Sequence, residues 1–257
     1  MIGLISSEWL RLRSRRLVRV LAVTALAGIV VALLIAGVQS HTPEAGRVAW
    51  SLPLSDLPDV LRGLSFIAIL IGLVIGASSI GASWQSGTIT TLLTWEPRRT
   101  RVALVRAGVV AVGVFLLVAF LLVVFTALYA ITTNLRGSTS VSSSWTGEVI
   151  GVVARVSGLA AAASIIGGAL AMIGRHTAAA LGAVFVYLTV VEGVLRGLRP
   201  QLGWFLLGDS IAVVVNGAGL SVGDGTLTVT RGAITVATYA LGLLAIAVAA
   251  FRMRDVQ

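Results

Sequence analysis

Six apolar runs, each close to the roughly 20 residues a helix needs to cross hydrocarbon, occupy about 17–38, 63–83, 107–132, 150–173, 177–197 and 232–251. A soluble core has no use for six such runs. In a bilayer each must form a helix, because lipid offers no partner to an unpaired backbone amide or carbonyl. The rest of the composition agrees: charged residues make up 11% and mean hydropathy is +1.01, where a soluble domain carries roughly 25% charge. The expected fold class is an all-α integral membrane protein. No hydrophilic stretch is long enough for a second domain, so residues 1–257 are read as a single membrane domain.

The arginines orient it. An even number of spans returns both termini to one side, and basic loops stay cytoplasmic. With the termini inside, 12 of the 19 basic residues face the cytoplasm against three acids, Glu8, Glu96 and Asp255, a net of +9. The outer side then carries seven charges of each sign. Topology thus accounts for the net charge better than nucleic-acid binding does.

Several chemistries are excluded. Every basic residue is Arg and no Cys occurs, so there is no Walker A lysine, Schiff base, thiol nucleophile or thiolate metal site. His41 and His176 fall on opposite faces, with no H-E-x-x-H. No catalytic, cofactor-binding or metal residue is assigned, and the chain is not expected to be an enzyme.

At the N-terminus Ser14-Arg15-Arg16-Leu17-Val18-Arg19 has the look of a twin-arginine export signal. The run behind it is too long for a signal h-region and has no clear A-x-A site, so a retained first span is expected. Before it, Ile5, Trp9 and Leu12 recur at helical spacing beside Glu8 and the arginines, the pattern of an interfacial amphipathic helix. A plain basic topology anchor is the other reading.

Between the second and third runs the chain reads S-G-T-I-T-T-L-L-T-W-E-P-R-R-T-R, residues 86–101. Ile89, Leu92 and Leu93 follow i, i+3, i+4, which predicts a short amphipathic helix to about residue 95. Pro97 ends it, and Arg98, Arg99, Arg101 and Arg106 lead back to the membrane. Interfacial anchoring alone would explain such a rod.

Its wording points further. S-G-T-x-x-T-L-L-T-W-E-P-R-R-T-R resembles the segment after the second span in permease subunits of export-type ABC transporters, the ABC-2 permease class, in actinobacterial form. The opening S-E-W-L-R-L-R-S-R-R and the ending F-R-M-R-D-V resemble that family's termini. The resemblance implies a half-size permease in the bacterial cytoplasmic membrane, paired with a second copy as a homodimer or heterodimer. Each copy would dock on a separate cytoplasmic ATP-binding cassette subunit, which binds ATP and Mg; this chain holds no cofactor. The rod would be the coupling helix, with Gly87, Thr88, Thr91, Thr94, Trp95, Glu96, Pro97, Arg98, Arg99 and Arg101 at the ATPase and Glu8 and Arg11 of the N-terminal helix alongside. One departure stands out. The family usually reads A-E-W-R-S-G-T where this chain has Ala82-Ser83-Trp84-Gln85-Ser86-Gly87-Thr88, and Arg106 stands for a common Lys. The missing acid and base are either one dispensable surface salt bridge, worth about 0–1 kcal/mol, or the mark of a divergent partner.

Within the spans, Gly72, Gly76 and Gly81 give the second run a small-residue face suited to close helix packing, with a dimer contact or substrate wall as alternatives. Glu192 and Arg196 stand at i, i+4 in the fifth run and Arg155 lies in the fourth, which predicts an intramembrane ion pair in the outer third of the membrane. Outside, residues 198–231 are expected to hold a re-entrant or interfacial helix over about Trp204 to Val215, then a hairpin turning at Gly223-Asp224-Gly225. Pro53, Asp56, Pro58 and Asp59 predict an irregular first outer loop. Two functions outside the ABC class stay open: an ion- or proton-coupled secondary transporter using Glu192, and a non-transporting membrane anchor or regulator.

Overall fold

The computed structural model describes residues 2–39, 53–85, 87, 99–136, 140–222 and 225–253. Among the described residues, six helical segments are long and apolar enough to span a bilayer: Arg16–Ala36, Leu54–Gln85, Thr100–Leu135, Trp145–Gly174, Thr177–Leu198 and Val229–Met253. The protein is an all-α multi-pass membrane protein.

Helix α1 (Ile2–Ser14) leads through Arg15 into α2 (Arg16–Gln39). A 3-10 turn, Leu54–Asp56, opens α3 (Leu57–Gly63), and Leu64 separates α3 from α4 (Ser65–Gln85). The stretch before α4 is therefore helical over residues 54–63, where irregular chain was expected. Pro58 falls in the first turn of α3, where its missing N–H costs nothing, and Asp59 and Arg62 lie at the ends their charges favour. Leu57 and Leu61 are fully buried, the Trp145 indole donates to Leu54 O at 2.9 Å, and Tyr129 Oη donates to Pro53 O at 3.2 Å.

Helix α5 (Arg99–Arg136) has 38 residues, about 57 Å at 1.5 Å per residue, well beyond the roughly 30 Å hydrocarbon core. Arg99, Arg101 and Arg106 are helical, so the return to the membrane is part of α5 and not a loop. Helix α6 (Trp145–Gly174) turns at Arg175, in the left-handed region (φ 54°), into α7 (Thr177–Val186). His176 caps α7, its Nδ1 accepting from Ala178 N at 3.1 Å. The fifth span is not one regular helix. A π turn, Tyr187–Val191, separates α7 from α8 (Glu192–Leu198).

A 3-10 turn, Pro200–Phe205, an extended Leu206 and α9 (Leu207–Asn216) follow. Strands β1 (Leu220–Val222) and β2 (Gly225–Leu227) pair antiparallel, Leu220 opposite Leu227, before α10 (Val229–Met253). A helix and an antiparallel strand pair lie in the expected stretch, though the helix begins three residues later, after Leu206; Gly223 and Asp224 of the expected turn lie outside the described residues. Residues 200–205 clasp the hairpin: Trp204 Nε1 donates to Val222 O at 3.1 Å and Arg231 lies over the Trp204 ring at 4.1 Å.

The bundle is built on α4 against α6. A Cβ on Gly72 would overlap Ala160 O, one on Gly76 would overlap Ser164 O, and one on Gly81 would overlap Thr177 at the start of α7. All three glycines are spent on close helix approach within this chain. The outer faces of α2, α4, α5 and α10 keep large apolar side chains exposed, as helices bathed in hydrocarbon can.

Candidate functional site

Polar groups gather at two ends of the bundle. The end that carries α1 also carries the last turns of α4 and α10 and the first turn of α5; it is called the terminal end below, and the opposite one the distal end.

At the distal end the focus is Glu192, 1% exposed. The π turn before it adds a residue to the helical repeat and so resets which face Glu192 presents. Its two carboxylate oxygens accept the Gly208 N–H, at 3.1 and 3.0 Å. Gly208 lies in the first turn of α9, where amides lack intrahelical partners and the helix dipole favours an anion. A Cβ there would sit 2.6 Å from Oε2, so any larger residue would push the carboxylate off the amide.

Arg196 pairs with Asp209 at 2.6 Å, not with Glu192. Arg155 lies at the other end of α9, its guanidinium where a Cβ on Gly217 would be, and its Nε has no hydrogen-bond partner among the described residues. The expected Arg155–Glu192–Arg196 ion pair is thus corrected. Helix α9 stands between the outer two charges and separates them by about its own length, ~15 Å for ten residues. It carries a carboxylate at its N-terminus and a guanidinium at its C-terminus, each complementing the dipole. Gly208, Asp209 and Gly217 escaped attention in the sequence. Their signals were those of an ordinary helix: an acid in the first turn, and Asn216-Gly217 at a left-handed C-cap (Gly217 φ 69°).

Beside Glu192 a second polar chain runs inward. Tyr239 Oη donates to Phe205 O at 3.1 Å, which leaves Tyr187 Oη as donor to Tyr239 Oη at 2.7 Å. Glu192, Arg196 and Asp209 form the polar rim of a cavity of about 580 Å³ between α4, α6, α7–α8 and α9. Its remaining walls are mainly apolar, with Phe66, Leu70 and Leu73 from the distal half of α4. Size and lining suit a small-molecule pocket, mostly apolar with few convergent polar groups.

At the terminal end Glu8 and Arg106 are 5% and 3% exposed. Glu8 accepts from Arg11 Nη1 at 3.0 Å and faces Arg106 Nε at 3.7 Å. Arg106 Nη2 also donates to Ser79 O and Ser83 Oγ of α4. Arg15 donates to Ser78 O at 3.0 Å and Ser79 O at 2.9 Å. Burial foremost, then the Arg11 charge, draws the Arg15 guanidinium below its ordinary value while Glu8 opposes them; an arginine keeps its proton regardless. One carboxylate and three guanidinium groups thus join α1, α4 and α5. Gly113 completes the joint, since a Cβ there would overlap Leu12 of α1.

These contacts change the role of Glu8. Expected at a partner ATPase, it is buried under α1, because Arg106 offers a nearer and drier partner than a surface could. Arg11 keeps part of its side chain exposed beside it. Of the other docking residues, Gly87 ends the second span at φ 67°, its N–H donating to Trp84 O at 3.2 Å. Arg99 and Arg101 lie in the first turn of α5. Thr88, Thr91, Thr94, Trp95, Glu96, Pro97 and Arg98 lie outside the described residues. The Trp84 ring, before residue 86, meets Phe251 edge-on and Arg175 at 4.8 Å, and Arg252 Nε donates to Thr100 Oγ1 at 2.7 Å.

Among the described residues no three His, Asp or Glu side chains gather as a metal site would require. Comparison with known proteins adds no assignment: no protein-family model matches the chain, and no curated protein matches it.

Proposed function

We propose that this chain is the permease subunit of an ATP-driven ABC exporter in the bacterial cytoplasmic membrane, working as a dimer whose copies each dock on a cytoplasmic ATP-binding cassette subunit. The observation that carries the reading is the run of α4 from one end of the bundle to the other. Its distal half, from Ser65 to Leu73, walls the 580 Å³ cavity; its terminal end, at Gln85, enters the segment whose wording resembles a coupling helix. Arg15 and Arg106 bind the carbonyls of Ser78 and Ser79 and so hold α4 to α1 and α5. The Gly72 and Gly76 contacts hold it to α6. A push on residues 86–98 from a closing ATPase would therefore move α4, α5 and α1 together and change the cavity wall. Interfacial anchoring alone would need no such rigid joint.

A second reading, an ion- or proton-coupled secondary transporter, draws on one observation: a carboxylate 1% exposed, inside a spanning segment and on the cavity wall. Purification with bound partners separates the two. An exporter co-purifies with an ATPase and shows ATP hydrolysis stimulated by its substrate. A gradient-driven carrier transports in proteoliposomes without ATP, and that result would displace the ABC reading.

A further inference from the structure

Helix α2 is held loosely. Only 6% of its apolar stretch is buried, and Leu33 is its one buried residue among those described. Beside it run two cavities. One of about 140 Å³ lies between Arg13, Val18, Ile75 and Leu117; one of about 440 Å³ lies between Leu21, Gly28, Ala32, Ile71, Val118 and Phe125. They are neighbours on all three helices, since Val18 and Leu21, Ile75 and Ile71, and Leu117 and Val118 are each within about one turn. Together they make one seam between α2, α4 and α5. Its floor is hydrocarbon throughout, apart from Thr24.

The seam has a length and a charged end. From Val18 to Ala32 it covers about 21 Å of helix, somewhat more than one leaflet's share, about 15 Å, of a roughly 30 Å hydrocarbon core. In α1 and the first turn of α2 stand five arginines, and three are engaged: Arg11 with Glu8, Arg15 with Ser78 and Ser79, Arg19 with Ser14 O. Arg13, on the wall of the smaller cavity, is exposed and has no hydrogen-bond or ion-pair partner among the described residues. Water would not fill so apolar a seam, and no side chain among the described residues does. A group that is apolar along one leaflet and anionic at the interface matches both parts.

We propose that the seam between α2, α4 and α5 is a binding site for an anionic membrane phospholipid, one acyl chain lying along it and the phosphate at Arg13. The chain fills the space that keeps α2 from closing on α4, so the lipid is a structural partner of the first span. The site stands apart from the cavity at Glu192 and requires no particular transport mechanism.

The test uses the full-length protein in mild detergent with phosphatidylglycerol and phosphatidylethanolamine of matched chains, read by native mass spectrometry. A phosphatidylglycerol with a photoactivatable diazirine near its acyl terminus then maps the chain. The expected results are retention of phosphatidylglycerol at least fivefold over phosphatidylethanolamine, and crosslinks on α2 and α5 near Ala32 and Phe125. Arg13→Gln should remove most of the preference. Gly28→Phe, at a position where a Cβ has nothing within 4 Å, should fill the seam and remove the crosslinks; Ala25→Phe makes the same block should Gly28→Phe fail to insert. Equal retention of the two lipids by the wild type, or crosslinks spread evenly round the bundle, would overturn the site as ordinary lipid solvation. Competition by millimolar glycerol phosphate would show a soluble-anion site instead, and equally overturn it.

Discussion

The carboxylate of Glu192 sits on the backbone amide of Gly208, both oxygens within 3.1 Å, so a spanning helix supplies the cap for a ten-residue helix lodged beside it. An anion at a helix N-terminus is favourable, and a buried amide left without it would carry the full cost of desolvation. The pair fixes how α9 meets the fifth span.

Removing the carboxylate, or crowding it with a methyl at Gly208, should loosen α9. A hydrogen bond to a charged group contributes on the order of 1.5–3 kcal/mol. Glu192→Ala and Gly208→Ala are each expected to lower the unfolding temperature in detergent by several degrees. Glu192→Gln, which keeps an acceptor, should lose less and still transport. A Glu192→Gln protein as stable as wild type but inactive would speak for a carrier carboxylate.

Arg196 and Asp209 make the neighbouring contact at 2.6 Å, with Arg196 about half exposed. Water screens such a pair, so a double-mutant cycle should return a coupling of roughly 1 kcal/mol or less. The exchange Arg196→Asp with Asp209→Arg should recover part of what either single reversal loses. Exchange of Glu192 with Arg196 should recover nothing, because those two are not partners; recovery there would reinstate the i, i+4 pair.

The spans were readable from sequence because hydrocarbon demands one thing, a long apolar helix, and six runs satisfy it. Gly72, Gly76 and Gly81 were readable for a related reason: small residues on a spanning helix serve close approach. The partner of Glu192 was not. Sequence offers Arg196 four residues away, whereas Gly208 comes near only when residues 199–206 fold back and bring the first turn of α9 to α8. Nor did the spacing of residues 187–191 announce a π turn, which leaves apolar side chains apolar. Glu8 was misplaced because an acid among arginines on an amphipathic helix looks solvated until Arg106, 98 positions on, closes over it.

Ser83 gives that cluster a test of its own. Where the resembling family carries an acid, this chain has a serine whose hydroxyl accepts from Arg106, and Glu8 supplies the charge instead. Breaking a buried ion pair by removing one partner costs on the order of 3–5 kcal/mol. Glu8→Ala should therefore depress folded yield severely, while Ser83→Glu with Glu8→Ala should restore most of it. Failure of the second acid to rescue would mean that Glu8 serves α1 packing and not the Arg106 charge.

Orientation is open to direct labelling, since the chain has no cysteine of its own. The arginine distribution predicts that cysteines at Ser140 and Ser221 react with an impermeant thiol reagent in intact cells and that one at Thr94 reacts only after permeabilisation. Reaction at Thr94 in intact cells would invert the bundle and end the proposal that residues 86–98 meet a cytoplasmic ATPase.

Glu96 offers the sharpest test of that proposal, because anchoring and docking assign it opposite roles. A segment that only holds to an anionic leaflet gains from Arg98 and Arg99 and nothing from an acid between them and the bilayer. A segment seated on a protein has a basic group opposite Glu96 and acidic ones opposite the arginines, so reversal of either sign weakens the contact. Truncating one side of a desolvated interfacial charge pair costs on the order of 2–5 kcal/mol, a loss of thirtyfold or more in affinity. Glu96→Arg, and separately Arg98→Glu with Arg99→Glu, are each expected to leave the protein inserted and thermally stable while ATPase co-purification and coupled hydrolysis fall. The cluster at Glu8, Arg15 and Arg106 supplies the control, since substitutions there should reduce stability together with coupling. An inserted Glu96→Arg protein that binds its ATPase and couples hydrolysis as well as wild type would leave residues 86–98 as a membrane anchor.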